Sequence, residues 1–190
     1  MALPRFAVVD LETSGLNTQR HRILQLGVVV MEADGTVTDR WSSLVRLRWP
    51  LQRVGPTRIH GITRTTLKGA PRLDDALDEL GHRLSGAVFT AHNAAFDSEF
   101  LARAVRRRSP DDPVRLALDP RLCTLRMSRR LDPDRTLSHR LGDVCGRYGV
   151  TLERPHDALG DAAATAAVLP HLLAAHEITD ESQLEPFYVR

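Results

Sequence analysis

The stretch VVDLETSGL, residues 8–16, begins as an apolar run suited to a buried strand and then places two acids one residue apart. Side chains alternate along a strand, so Asp10 and Glu12 project to the same side if the strand runs that far. Two carboxylates on one face repel each other, and a hard divalent cation such as Mg2+ or Mn2+ between them removes the repulsion. Solvation at a strand end explains such a pair equally well when it stands alone. Further acids at equivalent junctions would decide between the two.

Two such junctions occur. After the strand-like GAVFTA, residues 86–91, comes AHNAAFD, which puts Asp97 in the first turns of a helix reading through residues 93–108. There its carboxylate can face the carboxyl end of a sheet, where open α/β folds build their sites, although the helix dipole alone also favours an acid at this position. In PHDALGDAAATAAV, His156 and Asp161 bracket the entry to an Ala-rich helix over residues 157–176. Five residues on a helix turn about 500°, which sets two helical positions about 140° apart. His156 is therefore expected before the helix and Asp161 on it.

The rest of the chain supplies a frame for these junctions. Residues 6–10, 23–31 and 41–47 read as strands joined by short turns, an early antiparallel meander. Residues 50–71 are punctuated by Pro and Gly and hold RIHGIT, expected as short helical turns. Leu73, Leu77, Leu80 and Leu84 recur at helical spacing, VRLALD at 114–119 reads as a strand, and helices are expected near 121–131 and 137–148. Pro170 should kink or end the last helix. Strands first paired in a meander and then alternating with helices give an α/β fold, a mixed sheet flanked by helices.

A chain of 190 residues with 42% hydrophobic and 26% charged residues fits one globular domain. No stretch reads as a membrane span of about 18 apolar residues and no signal peptide is evident, so a cytoplasmic location is expected. Cys123 and Cys145 suit neither a metal knuckle nor a disulfide framework. The net charge of +2 does not by itself mark a nucleic-acid binder, and the Arg-rich runs at 103–108 and 126–130 are equally explained as solvated helix ends.

VVDLETSGL, AHNAAFD and HDALGDA together resemble the three motifs of the DEDDh, or DnaQ-like, 3′-to-5′ exonucleases, a family that includes the proofreading ε subunits of bacterial DNA polymerase III. ILQLGVV, IHGIT and CTLRMSRR between them resemble the same family, and the likeness covers residues 6 to about 175 in order. The resemblance implies a ribonuclease H-like fold and two divalent metal ions, Mg2+ or Mn2+, held by Asp10, Glu12, Asp97 and Asp161. It implies His156 as general base, where a sister branch has tyrosine. Thr13, Leu16, His60 and Asn93 are implied to line the pocket of the terminal nucleotide. Leu16 and Phe96 serve equally well as core residues, and Asn93 as a helix cap.

The implied reaction is metal-dependent hydrolysis at single-stranded 3′ ends to nucleoside 5′-monophosphates, on DNA in preference to RNA. An RNA-directed member of the superfamily and a largely structural polymerase accessory subunit are the competing readings. Residues 1–176 are expected to form the exonuclease domain and 177–190 a short C-terminal tail. Within that tail QLEPF, residues 183–187, resembles sliding-clamp peptides, with Pro186 where leucine is expected.

Overall fold

The computed structural model describes residues 2–49 and 52–189. Three strands, β1 (Phe6–Thr13), β2 (Ile23–Met31) and β3 (Val37–Leu44), form the antiparallel meander. A short helix α1 (Thr57–His60) and α2 (Leu73–Leu84) lead to β4 (Val88–Ala91), α3 (Ala94–Ala104) and α4 (Pro113–Ala117). Then come β5 (Arg121–Cys123), α5 (Thr124–Arg130), α6 (Leu141–Arg147), α7 (Ala158–Ala175), a 3-10 helix over Glu181–Phe187 and β6 (Tyr188–Val189). The sheet order is β3-β2-β1-β4-β5-β6, with β4 and β5 parallel to β1 and β6 antiparallel to β5.

Both central strands are covered on two faces, which is why β2 reads as a nearly unbroken apolar run. Ala7, Val9 and Leu11 of β1 pack toward α2 and α3, where Leu77, Leu80, Leu84, Phe100 and Leu101 are buried. Phe6 and Val8 point the other way, toward Val168, Leu169 and Leu172 of α7. By length and composition alone α7 could cross a membrane, contrary to the expectation that no stretch approaches this; in the fold it is the central helix of one core layer. Pro170 lies inside α7 without ending it.

Four sequence expectations change. Strand β1 continues through Thr13, so it carries both acids, and β3 lies at Val37–Leu44, earlier than residues 41–47. VRLALD is helical: Asp112 caps α4 with its side chain, accepting from the amides of Val114 (3.0 Å) and Arg115 (3.2 Å), and Pro113 fills the first turn. The strand paired to β4 follows it, at Arg121–Cys123. The segment after residue 176 is no tail: Leu184 and Phe187 are buried and β6 pairs with β5. The two apolar side chains a clamp peptide would present are thus already used in the core.

Candidate active site

Strand β1 outreaches its parallel neighbour. Its pairing with β4 stops at Val8 opposite Thr90, while its antiparallel pairing with β2 continues to Thr13. Asp10 and Glu12 sit in this overhang, on the face shared with Phe6 and Val8. Helix α3 starts just past β4 and delivers Asp97, buried at 3% exposure, to the free edge of β1, close enough to the Leu11 amide for that amide to pull its pKa down. A side chain there takes the place that a longer β4 would have filled with backbone.

The opposite flank is set by β2. Gly27 faces Asp10 in the ladder, and a Cβ on Gly27 would overlap the backbone of Ala158, so only glycine lets the start of α7 lie against the sheet at this point. Gln25, opposite Glu12, clamps that start with both ends of its amide. Its Nε2 donates to Asp157 Oδ1 at 2.9 Å, and its Oε1 accepts from the Ala158 amide at 3.3 Å. Asp157 caps α7 through the Gly160 amide, 3.0 Å. His156 stands outside the helix, as its spacing from Asp161 predicts, exposed and with a left-handed backbone (φ 63°). Its amide donates to Asp161 Oδ2 at 3.2 Å, while Asp161 Oδ1 is buried with no hydrogen-bond partner.

Four carboxylates from β1, α3 and α7 therefore converge. One ligand atom each from Glu12, His156 and Asp161 lies within 4.8 Å of the others. Burial and the charges of Asp97, Asp161, Glu12 and Asp157 push Asp10 well above the ordinary carboxylate range. Burial, then Asp161 and Asp157, pushes Glu12 up to about 7. Burial likewise raises Asp97, against the pull of its own and the Leu11 amides, and raises Asp161, against hydrogen bonding and charge from His156. Among the described residues no Arg or Lys pairs with any of the four. A group of buried and half-buried acids without a cationic side chain, one of whose oxygens has no partner, fits divalent cations.

The residues expected around a terminal nucleotide are gathered more loosely. Thr13 ends β1, its hydroxyl donating to the Gly15 carbonyl at 2.9 Å. Leu16, at the following turn, is 82% exposed, which removes its core alternative. Asn93 stands at the N-terminus of α3 in a left-handed conformation, exposed and without a side-chain cap bond, so capping does not occupy it. His60 is buried at the end of α1, its Nδ1 accepting from the Ile62 amide at 3.0 Å; burial pushes its pKa down, and nearby His156 acts in the same direction. The loop before it presses on the end of β1, since a Cβ on Gly55 would overlap the Ser14 carbonyl. Gln25, Gly27 and Asp157 escaped the sequence reading, although a Gln and a Gly inside ILQLGVVV are anomalies that could have flagged the first two.

A mixed sheet of this order, with acids gathered where its central strand overhangs, defines a nuclease of the ribonuclease H-like class. The chain belongs to the RNase T exonuclease family, which it matches over residues 7–169. It is 33% identical over 165 residues to a PolC-type DNA polymerase III of Halalkalibacterium halodurans, covering 86% of this chain and 11% of that protein. It is 30% identical over 168 residues to the PolC-type enzyme of Bacillus subtilis, covering 88% and 11%. The chain thus spans about a tenth of the length of these relatives. Among solved structures, exonuclease X in complex with 5′ overhanging duplex DNA aligns at TM-score 0.70 and 26% identity, covering 96% of this chain and 99% of that one. Exonuclease I of E. coli in complex with a dT13 oligonucleotide shares the fold at TM-score 0.74 and 18% identity, covering 92% and 42%.

Proposed function

We propose that the protein is a divalent-metal-dependent 3′-to-5′ exonuclease that acts on DNA ends and releases nucleoside 5′-monophosphates. The observation that carries this reading is the unneutralised cluster of Asp10, Glu12, Asp97 and Asp161 beside an accessible histidine. These four acids would hold two Mg2+ or Mn2+ ions. When bound, such ions supply a lowered water pKa and compensation for charge at the phosphoryl and leaving oxygens.

The chain's own groups do the rest. His156, outside the helix and open to solvent, accepts the proton of the attacking water at a ring nitrogen, as a positioned imidazole can. The Gln25–Asp157 clamp fixes the start of α7 and with it the approach of His156 to the acids. Leu16 offers an apolar surface to the terminal base, while Thr13, Asn93 and His60 line its pocket. DNA is favoured over RNA because the relatives are DNA polymerases and exonuclease X is seen with DNA. The same relatives support an association with a replicative polymerase, and with it a cytoplasmic location; a sliding-clamp contact through QLEPF is withdrawn because that segment is packed.

The test uses 5′-labelled single-stranded, paired and mismatched DNA ends with an RNA control, in Mg2+ or Mn2+. Stepwise shortening from the 3′ end with release of 5′-monophosphates is expected for the wild type. Asp10→Asn should abolish it while leaving the circular dichroism spectrum unchanged. Residual wild-type turnover in that variant would sink the metal assignment, and faster removal of RNA would transfer the enzyme to RNA.

A further inference from the structure

The acids and bases of this chain are unevenly distributed. Residues 40–73 hold eight Arg and Lys and no Asp or Glu, so the remainder carries 18 basic against 24 acidic residues. Nothing in a net charge of +2 betrays this. The basic segment leaves the sheet at the end of β3, whose Leu44 pairs with Gln25, itself paired with Glu12. Two strand spacings, about 10 Å, separate that exit from the acids. The segment then returns to them, with Gly55 against Ser14 and His60 near His156.

Described residues on both sides of positions 50 and 51 pack together. Ile62 and Leu67 are buried with Leu24 of β2, and Leu44, Leu47 and Val54 pack on them. Arg46, Arg48, Arg53 and Arg58 are exposed, and among the described residues none of the four takes part in an ion pair. Trp49, in the same basic stretch of sequence, is 59% exposed, with the Arg48 guanidinium 5.4 Å from its ring centroid. Half-buried Arg83 and Arg108 pair with acids elsewhere in the chain, whereas this segment holds no acid of its own. A run of arginines without acids, one of them stacked on an exposed indole, suits a polyanion that also offers flat rings, the combination by which proteins hold single strands.

We propose that Arg46, Arg48, Arg53 and Arg58 with Trp49 form a second nucleic-acid-binding surface, which grips the phosphates and one base of the strand upstream of the scissile nucleotide. This rests on the exonuclease reading for its substrate, and it assigns the hold on the strand to a place separate from the reacting acids. Electrostatic contact should show in the salt dependence, and stacking in the aromatic side chain.

The experiment compares two substrates: a 5′-fluorescein dT12 oligonucleotide, and the p-nitrophenyl ester of thymidine 5′-monophosphate, which has no upstream strand. Replacing the four arginines together by Ala should raise KM for the oligonucleotide at least tenfold. It should also flatten the slope of log KM against log salt by about 3, at ~0.7 per phosphate contact on a single strand. Turnover of the ester should stay within twofold of wild type. Trp49→Ala should weaken oligonucleotide binding by about 5- to 100-fold, and Trp49→Phe should restore most of it. An unchanged salt slope, or equal losses on both substrates, would overturn the proposal. If the wild type cleaves neither substrate, the exonuclease reading fails by itself. The surface is then judged by fluorescence anisotropy of dT12 in EDTA, where the same loss of salt slope in the fourfold variant supports it and no difference overturns it.

Discussion

Neutralising one acid of the cluster should make the metal-free protein more stable while destroying its activity. Glu12 stands at about 7 in the folded chain against an ordinary 4.5. A raised carboxyl binds its proton more tightly folded than unfolded, so its contribution is complete below pH about 4.5 and is lost as pH climbs through 7. At 1.36 kcal/mol per pH unit the interval corresponds to about 3.4 kcal/mol, and water on the open side of the site screens this to about 1–3 kcal/mol. Glu12→Gln removes the charge and keeps the shape. For a chain of this size each kcal/mol moves Tm by about 2–4 °C, so in EDTA at pH 8 the variant should melt roughly 2–12 °C above wild type. At pH 4.5 the gain should vanish. Mg2+ should raise the wild-type Tm and raise that of the variant less. Calorimetric scans at the two pH values, with and without Mg2+, measure all of this. A variant that melts below wild type at pH 8, or gains equally at both pH values, would refute the claim that burial and the neighbouring acids disfavour the Glu12 charge in the folded state.

His156→Ala should lower kcat at pH 7.5 by about 10²- to 10⁴-fold, the range of general-base catalysis, with KM for an oligonucleotide little changed. Parallel losses in both would make the histidine a binding residue. Gly27→Ala drives a methyl into the Ala158 backbone and should shift the start of α7, reducing both Tm and kcat; a variant with wild-type values for both would show that α7 is not seated there. Phe187→Ala should cost about 3–5 kcal/mol in urea unfolding, the usual loss for a buried Phe. An effect below 1 kcal/mol would mean that the C-terminal segment contributes little to the core.

The acids were legible because each rests on local rules: strand alternation pairs Asp10 with Glu12, and helical turn angle separates His156 from Asp161. The β2 strand and the spacing of α2 were legible for the same reason. VRLALD failed because its alternation mimics a strand, although Asp112 followed by Pro113 is the signature of a helix start and outweighs it. The segment after 176 failed for a different reason. Leu184 and Phe187 are isolated apolar residues among polar ones, and only contact with distant β5 and α5 gives them a place. Gly27 reads as a flaw in a strand until α7 lies on it. The basic segment was open to simple counting, but a nearly neutral whole conceals it, and its neighbourhood with the acids is a tertiary fact.

One consequence concerns Asp97. Its carboxylate stands by the Leu11 amide where β4 stops short, so this residue bears on the architecture as well as on the proposed chemistry. Alanine there would delete a charge and the group standing by that amide at once, and an inactive product could not be told from a damaged one. Asparagine keeps an oxygen for that amide. If the proposed activity holds, Asp97→Asn is the change expected to subtract reactivity while leaving the scaffold closed around a silent twin.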